Sequence, residues 1–129
     1  MCQSYVERKK TRMPHLSSSE DRVFELHAAM CQTLANPVRL KILYLLRSGE
    51  KSVNELAQML RLPQANVSQH LAVLRDKNIV LTRREGTSIY YRISNPKITQ
   101  ACEMIRETLF EHLASEERLV KSVLQRKRD

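Results

Sequence analysis

Gln64, Asn66, Ser68 and Gln69 place short amide and hydroxyl side chains around the apolar Val67, Leu71 and Leu74. Amides of this length can bond adenine N6 and N7 bidentately, and a hydroxyl can donate or accept, which is the chemistry of reading base edges. Gln69 is the best single choice for such a contact. His70 offers an imidazole to a phosphate or base, or a boundary ring that holds its segment in place; both readings stand. Arg75, Arg83, Arg84 and Arg92 add guanidiniums suited to phosphate oxygens, although separate surface arginines are usually just solvated. A second chemistry lies in the thiols of Cys2, Cys31 and Cys102, which could form a disulfide or hold a soft ion.

Composition narrows the field. The 129 residues suit one domain of ordinary size, whose core is small enough that oligomerisation would help it. The two glycines, Gly49 and Gly86, leave no room for a Gly-rich phosphate loop of the Rossmann or P-loop kind. The longest apolar run, Ile42 to Leu46, falls far short of the roughly 20 residues a membrane-spanning helix needs. Arg8, Lys9, Lys10 and Arg12 are followed by no apolar stretch, so a secretory signal is not expected and a cytoplasmic location is. Three scattered cysteines without a C-x-x-C predict reduced thiols and no disulfide scaffold. A net charge of +8 favours polyanionic partners: DNA, RNA or an acidic surface.

The elements that would carry these side chains can be read from caps and periodicity. Residues 1–16 read as a flexible basic arm, and residues 17–125 as the folded domain. Ser17 and Glu20 form a capping box before Val23, Leu26, Met30 and Leu34, an apolar stripe on a helix running to about Ala35. Asn36-Pro37 stops that helix and starts another, over Val38 to Arg47. Ser52 and Glu55 make a second capping box for a short helix with Leu56, Met59 and Leu60 inward. After Arg61-Leu62-Pro63, a helix from Gln64 to about Lys77 turns Val67, Leu71 and Leu74 to one side. Ala65, Gln69 and Ala72 then face away, flanked by Asn66 and Ser68. Two short helices so joined, residues 53–77, make a helix-turn-helix candidate. Residues 79–93 switch to β-branched and aromatic types around Glu85-Gly86-Thr87, a β-hairpin. Asn95-Pro96 then opens one long helix over 96–125, marked by Ile98, Cys102, Ile105, Leu109, Leu113, Val120 and Leu124. The fold class is mainly α with a small β-hairpin.

Three blocks of sequence carry a specific resemblance. Leu34-Ala35-Asn36-Pro37-Val38-Arg39-Leu40-Lys41-Ile42-Leu43, Val67-Ser68-Gln69-His70-Leu71-Ala72-Val73-Leu74-Arg75 and Arg83-Arg84-Glu85-Gly86-Thr87-Ser88-Ile89-Tyr90-Tyr91-Arg92 resemble the ArsR/SmtB family of bacterial transcriptional repressors. The resemblance implies a winged helix-turn-helix, a homodimer joined through its first and last helices, and a pseudo-palindromic DNA operator. On that reading Gln64, Asn66, Ser68 and Gln69 lie in the major groove, His70 contacts a phosphate or base, and Arg75, Arg83, Arg84 and Arg92 hold phosphates or, at the hairpin tip, enter the minor groove. An apolar stripe along the last helix is an independent reason for a dimer, since a domain of this size has only one core in which to bury it.

Family members commonly release DNA on binding a metal ion, but this chain departs from both metal sites. The Cys-x-Cys that enters the helix-turn-helix falls on Ser52 and Asn54, and the zinc or cobalt ligands of the last helices fall on Asn95, Lys97, Thr108 and Glu111. No metal site or cofactor is therefore expected. Some family members sense oxidants or reactive sulfur through a cysteine pair on comparable helices. Cys31 and Cys102 could serve that way, or hold a metalloid with Cys2, or simply fill a core. His112 with Glu116 could support a metal but reads as a solvated pair, and His15 and His27 carry no signal. A non-sensing module directed at RNA, or an architectural one with structural cysteines, is the competing reading. Catalysis is not expected, because only His27 approaches Cys31 in the spacing a nucleophile and its base require.

Overall fold

The protein is described from a computed structural model covering residues 15–128. The basic arm expected over 1–16 lies, apart from positions 15 and 16, outside the described residues, and Cys2 with it. The chain divides into two compact units, Met1–Gln32 and Thr33–Asp129.

Helix α1, Ser18–Leu34, belongs mostly to the first unit. Its start is the reciprocal box expected: the Ser17 amide donates to Glu20 Oε2 at 2.8 Å, and the Glu20 amide donates to Ser17 Oγ at 3.2 Å. The Ser17 amide, and after it the Ser17 hydroxyl, hold the Glu20 carboxyl below the usual carboxylate range by hydrogen bonding to its charged form.

The second unit is built in the order α2 (Pro37–Leu46), β1 (Lys51–Ser52), α3 (Val53–Leu60), α4 (Gln64–Asp76), β2 (Val80–Glu85), β3 (Ser88–Ile93) and α5 (Pro96–Arg128). Asn36 begins α2 by accepting from the amides of Val38 at 2.9 Å and Arg39 at 3.2 Å. Ser52 begins α3 by accepting from the Glu55 amide at 3.2 Å. Helix α3 closes on Arg61 in the left-handed region, φ 56°, and the Leu62 amide returns to the Ala57 carbonyl at 3.1 Å. A second left-handed residue, Asn78 at φ 58°, ends α4 in the same manner, with the Ile79 amide on the Leu74 carbonyl at 2.9 Å.

Ile42, Leu43, Leu46, Leu56, Val67, Leu71, Leu74, Ile79, Val80 and Tyr91 form one buried cluster at the junction of α2, α3, α4 and the sheet. The hairpin expected over 79–93 is present, turning at Gly86, whose φ of 62° suits a residue without Cβ. One strand is added to it. Lys51 and Ser52 pair with Tyr91 and Tyr90, giving a three-stranded antiparallel sheet ordered β1-β3-β2. A two-residue strand has too few positions to show alternation, so Ser52 is legible in the sequence only as a cap. The whole is a winged helix-turn-helix. No described helix is long and apolar enough to cross a membrane.

Helix α5 changes character along its length. Thr99 is buried, with Ile98 and Cys102 half-buried near it, whereas Ile105, Leu109, Leu113, Val120 and Leu124 are 49–71 % exposed at helical spacing. The apolar stripe is therefore real, and this subunit's core does not bury it.

Candidate nucleic-acid interface

Helix α4 is oriented by its apolar side. Val67, Leu71 and Leu74 are fully buried, which turns Gln64, Ala65, Asn66 and Gln69 to solvent and leaves Ser68, His70 and Ala72 half-buried at the flanks. Pro63 precedes the helix without a side-chain cap, its carbonyl accepting from Asn66 at 3.1 Å and Val67 at 3.3 Å. The outward polar face needs no tertiary partner, because amides and hydroxyls are satisfied by water. Such a face, near the start of a helix, is what a major groove accepts. Arg75 is exposed near the end of α4, with Asp76 3.6 Å away.

His70 is tied to the scaffold. Arg39 Nε donates to His70 Nδ1 at 3.2 Å, and Arg39 Nη1 donates to the Thr33 carbonyl at 3.0 Å. Neither residue's partner is foreshadowed by spacing, since Arg39 and His70 lie on separate helices. The sequence reading found His70 and missed Arg39.

The arginines of the wing do not form one group. Directly paired residues in an antiparallel ladder share a face. The register sets Arg83 opposite Tyr90 and Arg92 opposite Leu81, while Arg84 stands opposite Ile89, on the same face as Thr82 and the buried Tyr91. Arg83 and Arg92 thus share one face and Arg84 takes the other.

Arg83 also uses each of its three nitrogens within the protein. Its Nε and Nη2 both donate to the Glu50 carboxylate, the former at 3.2 Å, and its Nη1 donates to Glu85 Oε2 at 2.9 Å. The guanidinium carbon lies 4.9 Å from the Tyr90 ring centroid, within cation–π range. The Arg83 hydrogen bond holds the Glu50 carboxyl below the usual range, and the two carboxylates push the Arg83 pKa up, Glu50 most strongly. Glu50 was missed by the sequence reading, because a lone carboxylate in a loop after Gly49 points to no partner.

Cys31 is exposed on α1 in the first unit. Cys102, half-buried on α5 in the second, lines a narrow crevice with Leu40, Leu43, Tyr44 and Thr99. Ser52 and Asn95 are both spent on helix caps, the latter accepting from the Lys97 amide at 3.0 Å. Among the described residues no group of three or more His, Cys, Asp or Glu could hold a metal ion. His112 Nε2 and Glu116 Oε1 lie 3.0 Å apart on an exposed stretch of α5.

Comparison with known proteins gives consistent matches. Residues 36–82 fit the family model described as bacterial regulatory protein, arsR family. The chain is 48% identical over 67 residues to the HTH-type transcriptional regulator KmtR of Mycobacterium tuberculosis, covering 52% of each. That match spans only about half the length of KmtR. It is 40% identical over 96 residues to a biofilm growth-associated repressor of Xylella fastidiosa, covering 73% of this chain and 83% of the repressor. Among solved structures it resembles a homodimeric winged helix-turn-helix DNA-binding domain of Mycobacterium bovis, a possible ArsR-family transcriptional regulator. The TM-score is 0.68 at 32% identity, covering 78% of this chain and 94% of that one.

Proposed function

The chain belongs to the arsR family of bacterial regulatory proteins, and we propose from that premise that it is a homodimeric transcriptional repressor that binds a pseudo-palindromic duplex. The observation that carries the reading is the orientation of α4, whose buried Val67, Leu71 and Leu74 leave Gln64, Asn66 and Gln69 at solvent. Gln69 and its polar neighbours, Ser68 included, read base edges. His70, Arg75, Arg84 and Arg92 contact phosphates. Arg83, chelated by Glu50 and Glu85, contributes wing stiffness in place of charge. The stripe from Ile105 to Leu124 supports the dimer, because a second copy would take it out of water and set the two α4 helices to meet half-sites about one helical turn, roughly 34 Å, apart.

Titration against duplex DNA from upstream of its own reading frame tests the reading. A dimer neutralising about eight phosphates loses on the order of 10³ to 10⁵ in affinity between 50 and 200 mM salt. A flat salt response, or equal affinity for single-stranded RNA, refutes it. Release by a thiol-reactive inducer at Cys31 and Cys102 is the finer part of the proposal, supported by the exposure of Cys31 and the crevice beside Cys102. Polysulfide, oxidant or arsenite should weaken DNA binding by wild type and leave Cys31→Ser and Cys102→Ser bound. Mutants that respond like wild type end the thiol reading and leave the repressor reading standing.

A further inference from the structure

We infer that Arg39 is a positioning residue for DNA binding, fixing the His70 ring so that its Nε2–H is held toward solvent as a neutral donor to a phosphate oxygen. The inference rests on α4 being the DNA-reading helix. It starts from the hydrogen bond between Arg39 Nε and His70 Nδ1, 3.2 Å long. A guanidinium has donors and no acceptor, so Nδ1 must be the unprotonated nitrogen of a neutral ring, and the proton resides on Nε2.

Nε2 has no partner among the described residues. His70 is half-buried, yet no side-chain nitrogen or oxygen sealed from solvent in a half-buried residue lacks a partner. Nε2–H therefore opens to solvent. The ring sits at the flank of α4, between exposed Gln69 and buried Leu71. A donor at the edge of a helix lying in a groove meets backbone, not base edges, which selects phosphate as its target.

Arg39 is itself immobilised from two directions. Its amide donates to Asn36 Oδ1 at 3.2 Å in the cap of α2, and its Nη1 donates to the Thr33 carbonyl at 3.0 Å. A side chain fixed at both ends orients the ring it holds, so the tautomer and aim of His70 are set before DNA arrives. Rotamer freedom that is already lost in the free protein is not lost again on binding.

Three measurements on the full-length protein test this. In the imidazole ¹⁵N spectrum of the free protein, His70 should show a protonated Nε2 and a bare Nδ1; a protonated Nδ1 overturns the inference. In a mutant cycle on the upstream duplex, His70→Ala should weaken binding about tenfold, the scale of one hydrogen bond to a charged group. Arg39→Gln should weaken it several-fold in the wild-type background and less than twofold once His70 is Ala. Additive losses mean Arg39 serves only the fold, and overturn the inference; melting curves taken alongside ensure that every variant is folded at the assay temperature. The slope of log affinity against log salt should be unchanged by Arg39→Gln. A fall of about 0.9 would mean that Arg39 meets a phosphate itself, which also overturns it. Should the wild type bind no duplex at all, the repressor reading fails and this inference with it; additivity or a changed slope sinks the inference alone.

Discussion

Replacing Arg83 and Arg84 in turn by Gln should separate two residues that are adjacent in sequence and alike in type. Arg84 stands on the face of Thr82 and Tyr91 near the Gly86 turn, with no carboxylate on it. Arg83, on the other face, is held by Glu50 through two nitrogens and by Glu85 through a third. Two carboxylates share that one guanidinium, and Arg92 is a second cation on the same face, so Arg83 itself has little charge left to offer a polyanion. Each phosphate contact contributes about 0.9 to the slope of log affinity against log salt. Arg84→Gln should therefore lower the slope by about 0.9 per subunit, which over a fourfold rise in salt is a factor of about 3.5. Arg83→Gln should leave the slope unchanged. Glu50→Gln should work in the opposite direction, freeing part of the guanidinium and removing a negative charge, so that affinity at low salt rises. Fluorescence anisotropy with labelled upstream duplex at stepped salt concentrations reads all three. A slope that falls as much for Arg83→Gln as for Arg84→Gln would refute the argument from chelation.

Further outcomes follow from other parts of the molecule. Gln69→Ala should cost about 1–3 kcal/mol of discrimination at one base-pair position per half-site while leaving the salt slope intact, as a panel of substituted duplexes would show. Leu109→Glu with Leu113→Glu, on the half-exposed stripe of α5, should yield monomers by sedimentation and abolish tight binding, with helicity retained. Ser52→Ala removes the acceptor for the Glu55 amide and should destabilise the fold by about 0.5–2 kcal/mol in urea unfolding. The Glu50 carboxyl, held below its ordinary value by Arg83, favours the fold above the unfolded-state value and ceases to do so as pH falls through the lowered one. Arg83→Gln should move its titration, followed by carboxyl NMR, up toward 4.5, the ordinary value.

Most of the architecture was legible because it is written in local signals. Ser17, Asn36 and Ser52 each mark a helix start through a side chain that satisfies backbone donors a few residues on, and the structure has those bonds at all three sites. Val67, Leu71 and Leu74 fix which way α4 faces, because burying them leaves only one side for Gln69. Strand β1 escaped because its two residues pair with Tyr91 and Tyr90 about forty positions away, and nothing local encodes that meeting. The same separation hides Arg39 from His70 and Glu50 from Arg83.

This last pair shows why counting basic residues overstates an electrostatic footprint. Strand parity alone divides Arg83 from Arg84, for a one-residue step in a strand reverses the face, and a motif read as a string takes the two as a cluster. What a polyanion meets is the charge left after the protein's own carboxylates have taken their share. At Arg83 they take most of it: the guanidinium, still exposed to solvent, is engaged in binding the loop at Glu50 to β2 and, with Tyr90 beneath it, in stiffening the hairpin. Rigidity is still useful to recognition. A wing fixed in place presents Arg84 and Arg92 without further loss of conformational freedom on binding, so Arg83 can matter for affinity while touching no phosphate. Its signature is a lowered affinity at every salt concentration with an unaltered slope.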